Sequence, residues 1–171
     1  IMYEDYTDKI TGDNNDDSLR NSMRSALSAP DSPERREYMY DNVEIPSIIN
    51  TMAVQAVLRS HDWSMTSNMM TYLDSAGSGR WSVLPWDLDL ILNNYYYDTV
   101  APEWAGGTYE IDPYETTDYF NVEDRFMFTA VWDDPTLRDM YKRRIRSLLD
   151  EAVASGKFDE YVEQQFAAAE D

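Results

Sequence analysis

Cysteine is absent from the 171 residues, so neither disulfides nor thiolate metal sites can form. Lysine is nearly absent too, at three positions, Lys9, Lys142 and Lys157. No apolar run approaches the roughly 20 residues of a membrane span. No N-x-S/T acceptor occurs, and nothing at the start resembles a signal peptide, so the compartment stays open. Bases are few as a class: 14 face 33 acids, for a net charge of −19. Such a chain repels nucleic acid and anionic membranes. Abundant acid with little lysine fits a salty environment, where counter-ions screen the repulsion, and equally an ordinary acidic surface.

What is present argues for a folded domain. Hydrophobic residues make up 43% and aromatic residues 13%, well away from a disordered composition. The length suits one domain with a real core. The chain starts at Ile1 rather than Met and reads as a piece of a longer or processed protein.

Residues 11–34 are polar and turn-rich. Asp13, Asn15 and Asp17 alternate as in a calcium loop, but Ser18 and Arg24 stand where an EF-hand needs Gly and Glu, which excludes it. "DSLRNSMRSAL" suits a short helix before Pro30. "IPSIINTMAVQAVLRS" is the best early helix, with Ile48, Ile49, Met52, Ala53, Ala56 and Val57 on one face. "NMMTYLDSAGSGRWSVLPW" reads as a hairpin, Met69–Leu73 and Trp81–Leu84, closed by a Gly-containing turn and ended by Pro85. Residues 93–120 read as a long loop. "NVEDRFMFTAVW" predicts a helix capped by Asn121, and "DPTLRDMYKRRIRSLLDEAVASG" one capped by Asp134 and stopped by Gly156. Leu137, Met140, Tyr141, Ile145, Leu148 and Leu149 form the expected buried face of the latter. "FDEYVEQQFAAA" is expected to pack beside it. The fold class is α+β, mostly helical, with a small antiparallel hairpin that carries the site.

Polar residues cluster at "HDWSMTSN" and "WDLD". In an antiparallel hairpin the start of the first strand lies beside the end of the second. Asp62 and Asn68 are therefore expected near Asp87 and Asp89. Three carboxylates brought together repel one another, and a divalent cation resolves that. Oxygen-only donors point to Mg²⁺ or Mn²⁺ rather than zinc. The order catalytic Asp, Asn, hairpin, metal Asp is the order of parts in protein kinases. In that reading Asp62 accepts or orients the proton of the attacking hydroxyl. Asn68, Asp87 and Asp89 hold the metal, with Asn68 and Asp87 on the nucleotide side and Asp87 first among the ligands.

The stretch "INTMAVQAVLRSHDW…N…YLDSAGSGRWSVLPWDLDLIL", together with "DDPTLRDMYKRRIRSLLDE", resembles the spore coat protein H (CotH) kinase family over about Glu37 to Gly156. The resemblance implies an atypical protein-kinase-like fold that uses ATP and a divalent metal to phosphorylate Ser or Thr of partner proteins. It carries the catalytic role to Asp62 and the metal site to the aspartates of "PWDLD". It implies a cell-surface, secreted or spore-coat-like setting. Two departures stand out. Five residues separate Asp62 from Asn68, where a kinase catalytic loop has four. No Gly-rich loop or strand lysine for gripping ATP phosphates is visible. The chain is therefore expected to be the catalytic-lobe part of a larger kinase, a single unit over 1–171, with the nucleotide-gripping lobe upstream of Ile1. The alternative is a non-catalytic surface, coat-assembly or adhesion module. Trp81 and Trp86 are expected in the core, and "KRRIR" as a solvated helix face.

Overall fold

The computed structural model describes residues 18–58, 69–86 and 126–169. Three helices come first: α1 (Ser18–Leu27), α2 (Pro33–Asn42) and α3 (Ile45–Val57). A hairpin comes next, β1 (Met69–Leu73) and β2 (Trp81–Pro85). Then come α4 (Phe126–Asp133), α5 (Pro135–Leu148), a π-helical turn (Leu149–Val153) and α6 (Lys157–Ala169). The protein is thus mostly helical with a two-stranded antiparallel sheet, the α+β class expected.

The apolar spacing of α3 makes it the central helix. Ile48, Ile49, Met52, Ala53 and Ala56 are buried as the sequence implies. They pack against α5, β2 and α4. Opposite them lie Met127, Phe128 and Val131 of α4 and Leu137, Tyr141 and Ile145 of α5. Met23 and Leu27 close the core from α1, four residues apart on one face. Trp132 and Tyr141 meet edge to face, centroids 6.1 Å apart.

The short helix expected before Pro30 is α1, whereas helix α2 was not legible, and its start at Pro33 falls within the stretch read as turn-rich. "PERREYMYDN" has no apolar stripe; its buried residues are Arg35 and Met39. Local chemistry starts it: the Ser32 hydroxyl accepts from Arg35 N at 3.2 Å, and Pro33 occupies the first helical position. Arg35 then does what an apolar residue does elsewhere, through charge. Its guanidinium donates to Ala29 O and to Asp133 Oδ2, both at 2.9 Å, with Asp31 Oδ1 at 3.3 Å. This ties α2 to the α4–α5 junction.

Asp134 caps α5 as expected. One carboxylate oxygen accepts from Thr136 N at 2.8 Å and Leu137 N at 3.1 Å. The other faces Arg36 Nε at 2.7 Å, off the N–H axis, as an ion pair rather than a hydrogen bond. Two members of the face expected to be buried on "DPTLRDMYKRRIRSLLDE" are not. Met140 and Leu149 are exposed, because they fall on opposite flanks of the Leu137–Tyr141–Ile145 stripe. The helix widens into its π turn, closed by Ala154 N donating to Leu149 O at 2.8 Å, and Gly156 ends it at φ 77°. Helix α6 contacts that turn. That turn belongs to the segment beside which α6 was expected to pack, so the contact is present, although no residue of α6 with a described environment is fully buried. The cap expected at Asn121 and the loop expected over 93–120 lie outside the described residues.

Candidate functional site

The hairpin is the site's scaffold, and its register is set by its turn. Asp74 N donates to Arg80 O at 3.1 Å, and Asp74 Oδ2 accepts from Ser78 N at 2.8 Å. Gly79 turns the chain at φ 70°. A Cβ at Gly77 would overlap the Asp74 carboxylate. Gly79 is therefore required by its backbone, while a side chain at Gly77 would push the Asp74 carboxylate from its place on Ser78 N.

From Asp74 opposite Arg80, hydrogen-bonded pairs alternate along the ladder. Met70–Leu84 and Tyr72–Ser82 turn their backbone groups toward each other. Met69–Pro85, Thr71–Val83 and Leu73–Trp81 turn theirs outward. Pro85 thus ends the strand while still paired with Met69. Its missing N–H belongs to the outward set and costs the ladder nothing. The outward groups of β2 are used by α3. Glu44 N donates to Trp81 O at 2.7 Å, and Ser47 Oγ lies 3.5 Å from Val83 O.

Those two contacts advance together along both segments, so α3 and β2 run in the same general direction. The last turn of α3, the end of β2 and the start of β1 therefore face one side of the domain. Beneath them Tyr38 of α2 packs on the core margin with Trp81. Burial raises the Tyr38 phenol above its ordinary value of 10.0, and a hydrogen bond with the Trp81 side chain opposes the shift.

Asp62, Asn68, Asp87 and Asp89 all lie outside the described residues. Among the described residues, no group of three or more His, Asp or Glu could hold a metal ion. The described lysines, Lys142 and Lys157, stand on α5 and α6, not on a strand.

One site feature was missed in the sequence. Met70 and Leu84 face each other across the ladder, and both are exposed, 47% and 46%. Tyr72 lies on the same face, and Trp86, two residues past Leu84, is 60% exposed. This corrects the expectation of a core Trp86. Trp81, at the other end of β2, is partly buried against the core. Val83 supplies the buried face of β2, so alternation sends Leu84 to the other side. Apolar residues on both faces of a two-stranded sheet were the available signal, and a core position was the wrong inference from them. No helix among the described residues is long and apolar enough to cross a membrane.

The family described as CotH kinase protein matches the chain over residues 2–170. No curated protein and no solved structure matches the chain.

Proposed function

The chain belongs to the CotH kinase family, and on that premise we propose that it is the catalytic-lobe part of a protein kinase. The γ-phosphate of ATP passes to a Ser or Thr hydroxyl of a protein substrate. The observation that supports this reading is the exposed apolar face of the hairpin, Met70, Leu84 and Trp86, at the end from which "WDLD" departs. An apolar floor next to a group of acids suits ATP. Its flat purine gains by leaving water, and its phosphates need a cation between them and carboxylates.

Asp62 accepts or orients the proton of the attacking hydroxyl. That hydroxyl's oxygen bonds the γ-phosphorus as the bond to the ADP oxygen breaks, and ADP leaves. Asn68, Asp87 and Asp89 form an all-oxygen donor set, which fits Mg²⁺ or Mn²⁺. When bound, the cation neutralises charge on the phosphate oxygens. The residues that grip the phosphates belong, in this proposal, to a further lobe, because neither described lysine is on a strand. That same feature favours a second reading, a non-catalytic surface or assembly module.

Thermal unfolding with Mg²⁺–ATP separates the two. A ligand that binds the folded state raises the apparent Tm, by about 2.7 kcal/mol of stabilisation at a hundredfold excess over Kd. The kinase reading expects a shift that Asp87→Ala abolishes and Leu84→Asp weakens, with unchanged Tm in the absence of nucleotide. The same two variants in a longer chain that carries the further lobe are expected to lose phosphoryl transfer. Full transfer by Asp62→Ala or Asp87→Ala there rules the kinase assignment out.

A further inference from the structure

Gln55 is an uncharged polar residue buried in the last turn of α3. It is 2% exposed, and its Oε1 accepts no hydrogen bond. Native folds rarely leave a buried acceptor in that state, and those that persist commonly serve a bound water, an ion or catalysis. Ser47, Thr51 and Gln55 recur at spacings of four, which makes them one polar stripe on the helix. The stripe climbs beside β2. Ser47 Oγ lies 3.5 Å from Val83 O, and Thr51 Oγ1 donates to Ser47 O at 2.9 Å. The first two members thus have partners within the chain, and the oxygen of the third has none. Helical rise carries Gln55 about 12 Å past Ser47. Strand rise carries Trp86 about 10 Å past Val83. Because α3 and β2 run in the same general direction, Gln55 stands about level with Trp86, where "WDLD" begins.

We propose that Gln55 is a positioning residue of the candidate metal site, its Oε1 accepting from a water on the divalent cation. The inference rests on the kinase reading, which places that cation on Asn68, Asp87 and Asp89. Mg²⁺ held by carboxylates keeps several of its waters, and each is a donor that needs an acceptor. A carboxylate in the place of Gln55 would add a fourth negative charge to the three already gathered there. An amide oxygen accepts without adding charge. Acceptors of this kind orient the shell around an ion and raise affinity without touching the ion. The orphaned Oε1 is then a local strain that the metal-free fold carries for a site made ready in advance.

Mn²⁺ binding to the full chain, followed by the electron paramagnetic resonance signal of the free ion, tests this together with thermal melts. The wild type is expected to bind Mn²⁺ at a site that Asp87→Ala removes. Gln55→Met keeps the length and bulk of the side chain without the acceptor. It is expected to melt about 2–4 °C above wild type without metal. It is also expected to bind Mn²⁺ at that site about tenfold or more weakly. A purely structural residue does not set stability against affinity in this way. Gln55→Glu is expected to melt below wild type without metal and to regain the difference with Mn²⁺, since the ion offsets the buried charge. Gln55→Met that keeps wild-type Mn²⁺ affinity, or that melts below wild type, overturns the role of Gln55 and leaves the metal reading standing. A wild type without a Mn²⁺ site that Asp87→Ala removes overturns the metal reading, and the role of Gln55 with it.

Discussion

Replacing Arg35 removes a charged residue that is buried with the core. The structure allows its loss to be sized. The guanidinium makes two hydrogen bonds of 2.9 Å, to Ala29 O and Asp133 Oδ2, and a 3.3 Å contact to Asp31. Hydrogen bonds to charged groups contribute about 1.5–3 kcal/mol each when buried. The two acids are themselves exposed at 38% and 44%, so water reclaims them when the arginine is gone, and the ionic part is discounted accordingly. Ala29 O loses its donor, and the buried methylenes lose their packing at about 0.8 kcal/mol each. Arg35→Ala should therefore destabilise by about 3 kcal/mol. For a chain of this size that lowers Tm by about 6–12 °C. Arg35→Met keeps most of the methylenes and should recover about a third of the loss. Asp133→Asn, at a partly solvated partner, should cost about 1 kcal/mol or less. Thermal unfolding by circular dichroism measures all three. If Arg35→Ala melts within about 2 °C of wild type, the clamp between α2 and the α4–α5 junction contributes no stability and the reasoning fails.

Asp134→Ala removes the acceptor for Thr136 N and Leu137 N together with the ion pair to Arg36, and should cost about 1–2 kcal/mol, read in the same melts. Asp134→Asn keeps the cap and should recover most of that loss. The Tyr38 phenol is held above its ordinary value of 10.0, chiefly by burial, so the folded state keeps a proton that the unfolded chain gives up first. Its contribution is intact below pH 10 and is lost as pH rises through and beyond that value. Tm measured upward from pH 9 should fall more steeply for wild type than for Tyr38→Phe, and parallel curves would refute the assignment.

The helices α1, α3 and α5 were legible because their signals are local. A stripe at helical spacing marks α3, Pro30 bounds the short helix α1, Asp134 and Pro135 start α5, and Gly156 stops the π turn that extends it. The hairpin was legible for the same reason, since "DSAGSG" can only turn. Of the candidate site, only the hairpin between Asn68 and Asp87 is described, while Asp62, Asn68, Asp87 and Asp89 lie outside the described residues. Tertiary structure decided the rest. Helix α2 is held by Arg35 reaching Asp133, a partner 98 positions away that no window of sequence contains. Trp86, Leu84 and Met70 are apolar, and composition alone assigns such residues to a core. Which face of a two-stranded sheet is covered depends on where α3 lies, and α3 covers the face of Val83. The same holds for α6: its amphipathic pattern states that it needs a partner, but only the tertiary structure shows that it meets the π turn with Phe158 and Val162 half-buried while Tyr161 and Phe166 stay exposed.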